Sequence, residues 1–205
     1  KRYCLLWCSE HIQIKLPIFA SLPLTKFISL PEIMRTYILQ QLLWQIGAAT
    51  YPASNKSIKM GFLKIISSKK FTLAGCIIIV KNERIELHSE RKRNMEKQSR
   101  VSPNVPTILD NRWLLNTNKP IFSRQMSDED YKSLNQNQHL NHILKKWPYP
   151  ARLCVPILVD LDDRVVQPHI DINEGSMNEY QNNAYITSSE KITLTPLKKI
   201  PFWDE

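Results

Sequence analysis

FTLAGCIIIVKNERIELHSERKR, residues 71–93, joins an apolar run to a half-polar run across a short turn and ends in a burst of positive charge. Residues 71–80 are too apolar for a half-exposed strand and predict a buried one. Residues 84–90 alternate, which directs Ile85 and Leu87 inward and Arg84, Glu86, His88 and Glu90 outward. Asn82 suits the turn between the two runs, while Glu83 is a poor second turn residue. The stretch predicts a hairpin, with helices before it and a small mixed unit after it.

Upstream, residues 31–47 carry the clearest helical pattern. Pro31 suits a first turn, Met34, Ile38, Leu42 and Ile46 recur every four residues, Leu39 and Leu43 widen the stripe, and Gly47 offers a left-handed C-cap. A second helix follows, with Ser57 as its expected cap and Ile58, Phe62, Ile65 and Ile66 on one face. Residues 1–30 are interrupted by Pro17 and Pro23 and predict short helical or extended pieces.

Downstream, residues 107–115 read as a strand. Ser127 followed by Asp128, Glu129 and Asp130 opens a helix whose far end carries Lys145 and Lys146. Residues 155–160 and 164–167 read as a last hairpin, and residues 171–205 as an acidic, loosely packed tail. The expected class is α+β, with a helical region over 1–67, a mixed domain with hairpins and a helix over 68–170, and the tail over 171–205.

The net charge of +9 is concentrated early: residues 1–67 hold 8 basic and 2 acidic side chains, and residues 171–205 hold 3 and 6. That asymmetry suits a polyanion-facing surface. With only 4 glycines the chain lacks a phosphate-cradling loop, so a self-contained nucleotide-using enzyme is not expected and no catalytic residue is assigned. Four scattered cysteines suit a reducing, cytoplasmic setting, and no apolar run reaches the roughly 20 residues of a membrane span.

Cys4, Cys8 and His11 share helical spacing suited to zinc but lack a fourth ligand, so reduced core thiols are the simpler reading and no metal site is assigned. Asp110 and Arg112, beside Trp113, suit either a structural pair or a fork for phosphate. Asp160, Asp162 and Asp163 fit a turn better than a metal site. His88, His139, His142 and His169 read as surface residues. The polyanion candidates are Lys69, Lys70, Arg84, Arg91, Lys92, Arg93, Arg112 and Trp113, set against a solvated basic face on a non-catalytic structural or protein-interaction module.

Three stretches together resemble the C-terminal part of bacterial tRNA(Ile)-lysidine synthases. LPEIMRTYILQQLLWQIGAATYP, residues 30–52, resembles the family's helix ending in "GG..YPPR"; TLAGC, residues 72–76, resembles "TLGGC"; LDNRW, residues 109–113, resembles "WDGRF". Ala48, Ala74 and Asn111 stand where those motifs have glycine, and Ser54 where arginine is usual. Loss of glycine at turns predicts strained or rearranged backbone there. The resemblance implies a tRNA-docking portion of a ligase that uses ATP and Mg to join lysine to the wobble cytidine of the CAU anticodon. Its catalytic domain would precede Lys1, so neither cofactor is expected in this chain. The expected partner is tRNA, with a homodimer as a further option and no membrane association.

Overall fold

A computed structural model describes residues 2–15, 18–91, 98–136, 148–162, 164–166, 169–170 and 192–196, which form an α+β fold in two units, the first ending at Glu90 and the second beginning at Arg91.

The first unit contains α1 (Arg2–His11), β1 (Gln13–Lys15), β2 (Phe19–Pro23), α2 (Leu24–Ile28), α3 (Glu32–Ile46), α4 (Asn55–Ser67), β3 (Lys70–Leu73), β4 (Cys76–Lys81) and β5 (Arg84–Ser89). Its five strands pair antiparallel in the order β1, β2, β5, β4, β3. The leading residues are thus not helical throughout: β1 and β2 extend the sheet, because Phe19–Pro23 pairs with β5 from His88 back to Arg84. The boundary expected at 67/68 lies instead after Glu90, since the inward face of the hairpin and the helices share one core. Ala20, Leu22, Ile78, Ile85 and Leu87 are buried in that core with Ile38, Leu39, Leu42, Leu43 and Ile46 of α3 and Ile58 and Ile65 of α4. Each such Leu or Ile side chain contributes about 1.5–3 kcal/mol by leaving water. Ile66, expected among them, is 71% exposed. It lies about 100° around the helix from Ile65 and falls off the buried stripe.

Hairpin turns subdivide the opening stretch more finely than its hydrophobicity suggests. The run expected as one strand over 71–80 folds back at Ala74 and Gly75, both at positive φ (49° and 76°). The expected turn at Asn82 and Glu83 is present, again with both residues at positive φ (49° and 58°). Two-residue loops with this handedness match the twist of the strands they join.

Gly47 is not left-handed as expected; its φ is −77°, and Ala48 takes the positive value, 55°. Gly47 is required for another reason. A Cβ there would lie 2.0 Å from the carbonyl oxygen of Ala74, and one on Gly75 would lie 2.3 Å from the carbonyl oxygen of Gly47. The β3–β4 turn therefore rests directly on the end of α3. The sheet also bonds carbonyls in the last turn of α3: the Cys76 thiol donates to Leu43 O at 3.7 Å, beside the Gly47 N–H that the same oxygen accepts at 2.8 Å, and the Ser89 hydroxyl donates to Ile46 O at 2.8 Å. At the start of α4 the cap is Ser54, not Ser57. Its Oγ accepts the Ser57 N–H at 3.2 Å.

The second unit holds β6 (Ser99–Val101), β7 (Thr107–Leu109), β8 (Trp113–Thr117), β9 (Ile121–Gln125), α5 (Asp128–Gln136), α6 (Tyr149–Arg152), β10 (Pro156–Val159), β11 (Val165–Val166), β12 (His169–Ile170) and β13 (Ile192–Pro196). The strands form two four-stranded sheets, ordered β11, β10, β9, β6 and β12, β13, β8, β7. The strand expected over 107–115 is broken by a turn in which Arg112 N–H donates to Leu109 O at 3.0 Å and Asp110 and Asn111 take φ of 50° and 52°. Asp and Asn tolerate that region better than other non-glycine residues. The last expected hairpin is present as β10 and β11. At its turn the Asp160 carboxylate accepts N–H bonds from Asp162 and Arg164, both at 2.9 Å, as a turn aspartate does. Part of the expected tail is structured: Ile192–Pro196 pairs antiparallel with β8, and Ile192 is buried. Lys145, Lys146 and Asp163 lie outside the described residues.

Ser127 and Asp130 cap α5 reciprocally. Ser127 Oγ accepts Asp130 N–H at 3.0 Å, while the Asp130 carboxylate accepts the Ser127 N–H at 2.7 Å and a fork from Arg124. Burial alone would raise the Asp130 carboxyl, but the bonds from Arg124 and Ser127 outweigh it and hold the group at about 2.

Two outcomes test these constraints by chemical denaturation. Gly47→Ala costs about 3 kcal/mol or more, because backbone must move, whereas Ala48→Gly and Ala74→Gly each stabilise by about 0.5–1 kcal/mol through relief of the left-handed penalty. Asp130→Ala destabilises by about 2 kcal/mol at neutral pH. Because the folded carboxyl lies below its ordinary value of 3.8, that difference shrinks as pH falls from there toward about 2.

Candidate nucleic-acid interface

The strand register of the first unit sorts its side chains onto two faces. One carries the core. On the other, the row Ser21, Glu86, Ile79, Lys70 runs across β2, β5, β4 and β3, flanked by the row Arg84, Lys81 and the row Phe19, His88, Ile77, Thr72. Lys70, Lys81 and Arg84 thereby share one face with Glu86, which is ion-paired with Lys81. Sequence reading had named Lys70 and Arg84; Lys81 joins them only once register is known.

Arg84 is half-buried: its Nε donates to Ser21 Oγ at 2.7 Å, and its Nη2 is buried without a hydrogen-bond partner. Glu86 accepts from Lys81 Nζ at 3.2 Å and from His88 Nε2 at 3.1 Å. His88, expected on the surface, is only 1% exposed and packs against Phe19 with ring centroids 5.2 Å apart. With Nε2 donating to Glu86, the neutral ring leaves Nδ1 as an acceptor, and that atom is buried without a hydrogen-bond partner. Burial lowers the His88 pKa, Glu86 opposes that through its hydrogen bond and charge, and the positive charges of Lys81 and Lys70 push it further down. Burial thus favours the neutral imidazole on the face that also bears Lys70, Lys81 and Arg84.

The remaining candidates separate. Lys69 is exposed beside Lys70, ahead of the edge strand β3. Arg91, at the start of the second unit, is exposed and lies 3.8 Å from the Asp128 carboxylate. Lys92 and Arg93 lie outside the described residues. Arg112 and Trp113, expected as RNA contacts, are 2% and 0% exposed, and Arg112 is ion-paired with Asp110. The pair serves the interior of the second unit, whose turn chemistry at Asp110 and Asn111 folds both residues inward.

No further constellation supplies a metal centre among the described residues. Cys4 and Cys8 are buried on α1, and burial, then the neighbouring thiol, raises the Cys8 pKa, so its sulfur stays protonated. His11 is engaged elsewhere: its ring stacks on Trp7 at 4.9 Å, with Nδ1 2.9 Å from Trp7 O and Nε2 3.0 Å from Lys26 Nζ. The second unit holds a cavity of about 140 Å³ bordered by Ser99, Leu109, Asp110, Arg124 and Cys154. Its two charged groups are already tied to Arg112 and Asp130. No helix among the described residues is long and apolar enough to cross a membrane.

No protein-family model matches the sequence, and no curated protein matches it.

The buried imidazole makes stability depend on pH with a definite sign. His88 in the unfolded chain takes up a proton near 6.5, where the folded form does not, so stability falls as pH drops through that value. Melting of the full chain between about pH 7 and pH 5 should show this decline, and His88→Asn should flatten it. Equal slopes for the two proteins would remove His88 as the cause.

Proposed function

We propose that the chain is the tRNA-docking C-terminal portion of a tRNA(Ile)-lysidine synthase, a ligase whose complete form uses ATP and Mg to join lysine to the wobble cytidine of the CAU anticodon. The observation that carries this reading is backbone geometry at the motifs that resemble that family. Ala48, Ala74 and Asn111, which replace glycines of those motifs, all take positive φ, 55°, 49° and 52°. The turns that glycine would serve are therefore retained without it. In addition, Gly47 of the first motif and Gly75 of the second meet at backbone distance.

The docking surface in this reading is the sheet face bearing Lys70, Lys81 and Arg84, with Lys69 beside it. Lysines supply point charges to phosphates, and Arg84, its Nε held by Ser21, adds a further positive charge beside them. Burial of Arg112 and Trp113 favours a second reading, a non-catalytic protein-interaction module with a solvated basic face, because it removes the planar groups on which bases could stack.

Filter binding of tRNA(Ile) across a salt series separates the two. Replacing Lys70, Lys81 and Arg84 together by alanine should weaken binding about tenfold or more and lower the magnitude of the log-log salt slope by about 2. Unchanged affinity and slope in a folded triple variant would favour the interaction module.

A further inference from the structure

Helix α4 shows solvent a face that the fold does not use. Met60, Leu63 and Ile66 are 48%, 60% and 71% exposed, and their three-residue spacing sets them in one line along the helix. Lys56 and Lys59, both exposed, share this face one turn before Met60 and Leu63, and Lys64 stands beside it with its ammonium 5.7 Å from the Phe71 ring centroid. The helix contains no acidic residue. Its other side is fixed by Ile58, Gly61 and Ile65 in the core and by the Ser54 cap, so the exposed line is rigidly held. Because α4 packs on the core side of the sheet, this line and the Lys70, Lys81, Arg84 face lie on opposite sides of the first unit.

We propose that this face docks an acidic amphipathic helix of another protein. Aliphatic side chains at three-residue spacing with flanking charges form the seam by which one helix packs on another, and flanking charges select the partner. All the charges here are positive, so the complementary helix carries Glu or Asp beside its apolar seam. RNA fits less well, since bases stack on aromatic rings and guanidinium planes and the line presents neither. A second copy would set Lys56, Lys59 and Lys64 against the same cations. A bilayer calls for a broad apolar face, whereas this one is a single row bordered by lysines.

The probes are two synthetic helical peptides of about 15 residues with the same leucine seam, one flanked by glutamates and one by lysines, titrated against the full chain by fluorescence anisotropy. The glutamate peptide should bind saturably and the lysine peptide should not. Leu63→Ser and Lys59→Glu should each weaken binding about fivefold or more, while Ile108→Ser, an exposed apolar position in the second unit, should leave it unchanged. Circular dichroism checks that each variant is folded. Absence of saturable binding, equal binding of both peptides, or indifference to Leu63→Ser overturns the proposal. So does loss, in Leu63→Ser, of binding to phosphatidylserine vesicles or of a concentration-dependent dimer seen by sedimentation, which would assign the face to a membrane or to a second copy. Since tRNA binding is read from the opposite face, failure here leaves the triple-alanine result standing, and the reverse.

Discussion

The first unit depends on the contact between the end of α3 and the β3–β4 turn. Two backbones meet there at a distance that no side chain tolerates, with Gly47 beneath the Ala74 carbonyl and Gly75 above the Gly47 carbonyl. The approach lets the Cys76 and Ser89 side chains donate to the carbonyls of Leu43 and Ile46, so the sheet is hydrogen-bonded to the last turn of the helix. It also sets how deeply the α3 stripe enters the sheet. The burial of Leu42, Leu43 and Ile46 against Ile78, Ile85 and Leu87 follows from that depth.

Periodicity carried the parts of this fold that are governed by burial. The α3 stripe and the inward Ile85 and Leu87 could be read directly, because in each the apolar spacing matches one secondary-structure period, and the β10–β11 hairpin could be read from two apolar runs about an aspartate-bearing turn. What it did not carry was governed by turns. Ala74-Gly75 and Asp110-Asn111 each hid a reversal inside an apolar run, and alanine gives no composition signal for a left-handed position. Phe19–Pro23 escaped because five residues between prolines have no period long enough to identify, and only pairing with β5 makes them a strand.

The candidate interface was legible in part for the same reason. Charge counting finds Lys70 and Arg84, but which cations converge is a matter of strand register, and register placed Lys81 with them and His88 beneath. Arg112 and Trp113 were candidates on residue type alone, and on a continuous strand the two would point to opposite faces. The turn before them directs both inward. The exposed line on α4 was hidden by the assignment of Ile66 to the buried stripe, a quarter-turn error on a helix whose two sides are both apolar.

Left-handed backbone at Ala48 and Ala74 has a consequence for chirality. At these two sites the main chain has the handedness that a mirror-image residue prefers, and an L-methyl group is retained against that preference by the packing around it. A semisynthetic chain carrying D-alanine there would keep the methyl, lose the steric conflict, and avoid the added freedom that glycine brings to the unfolded state. The two sites thus distinguish stereochemical strain from conformational entropy, two contributions that a change to glycine always alters together.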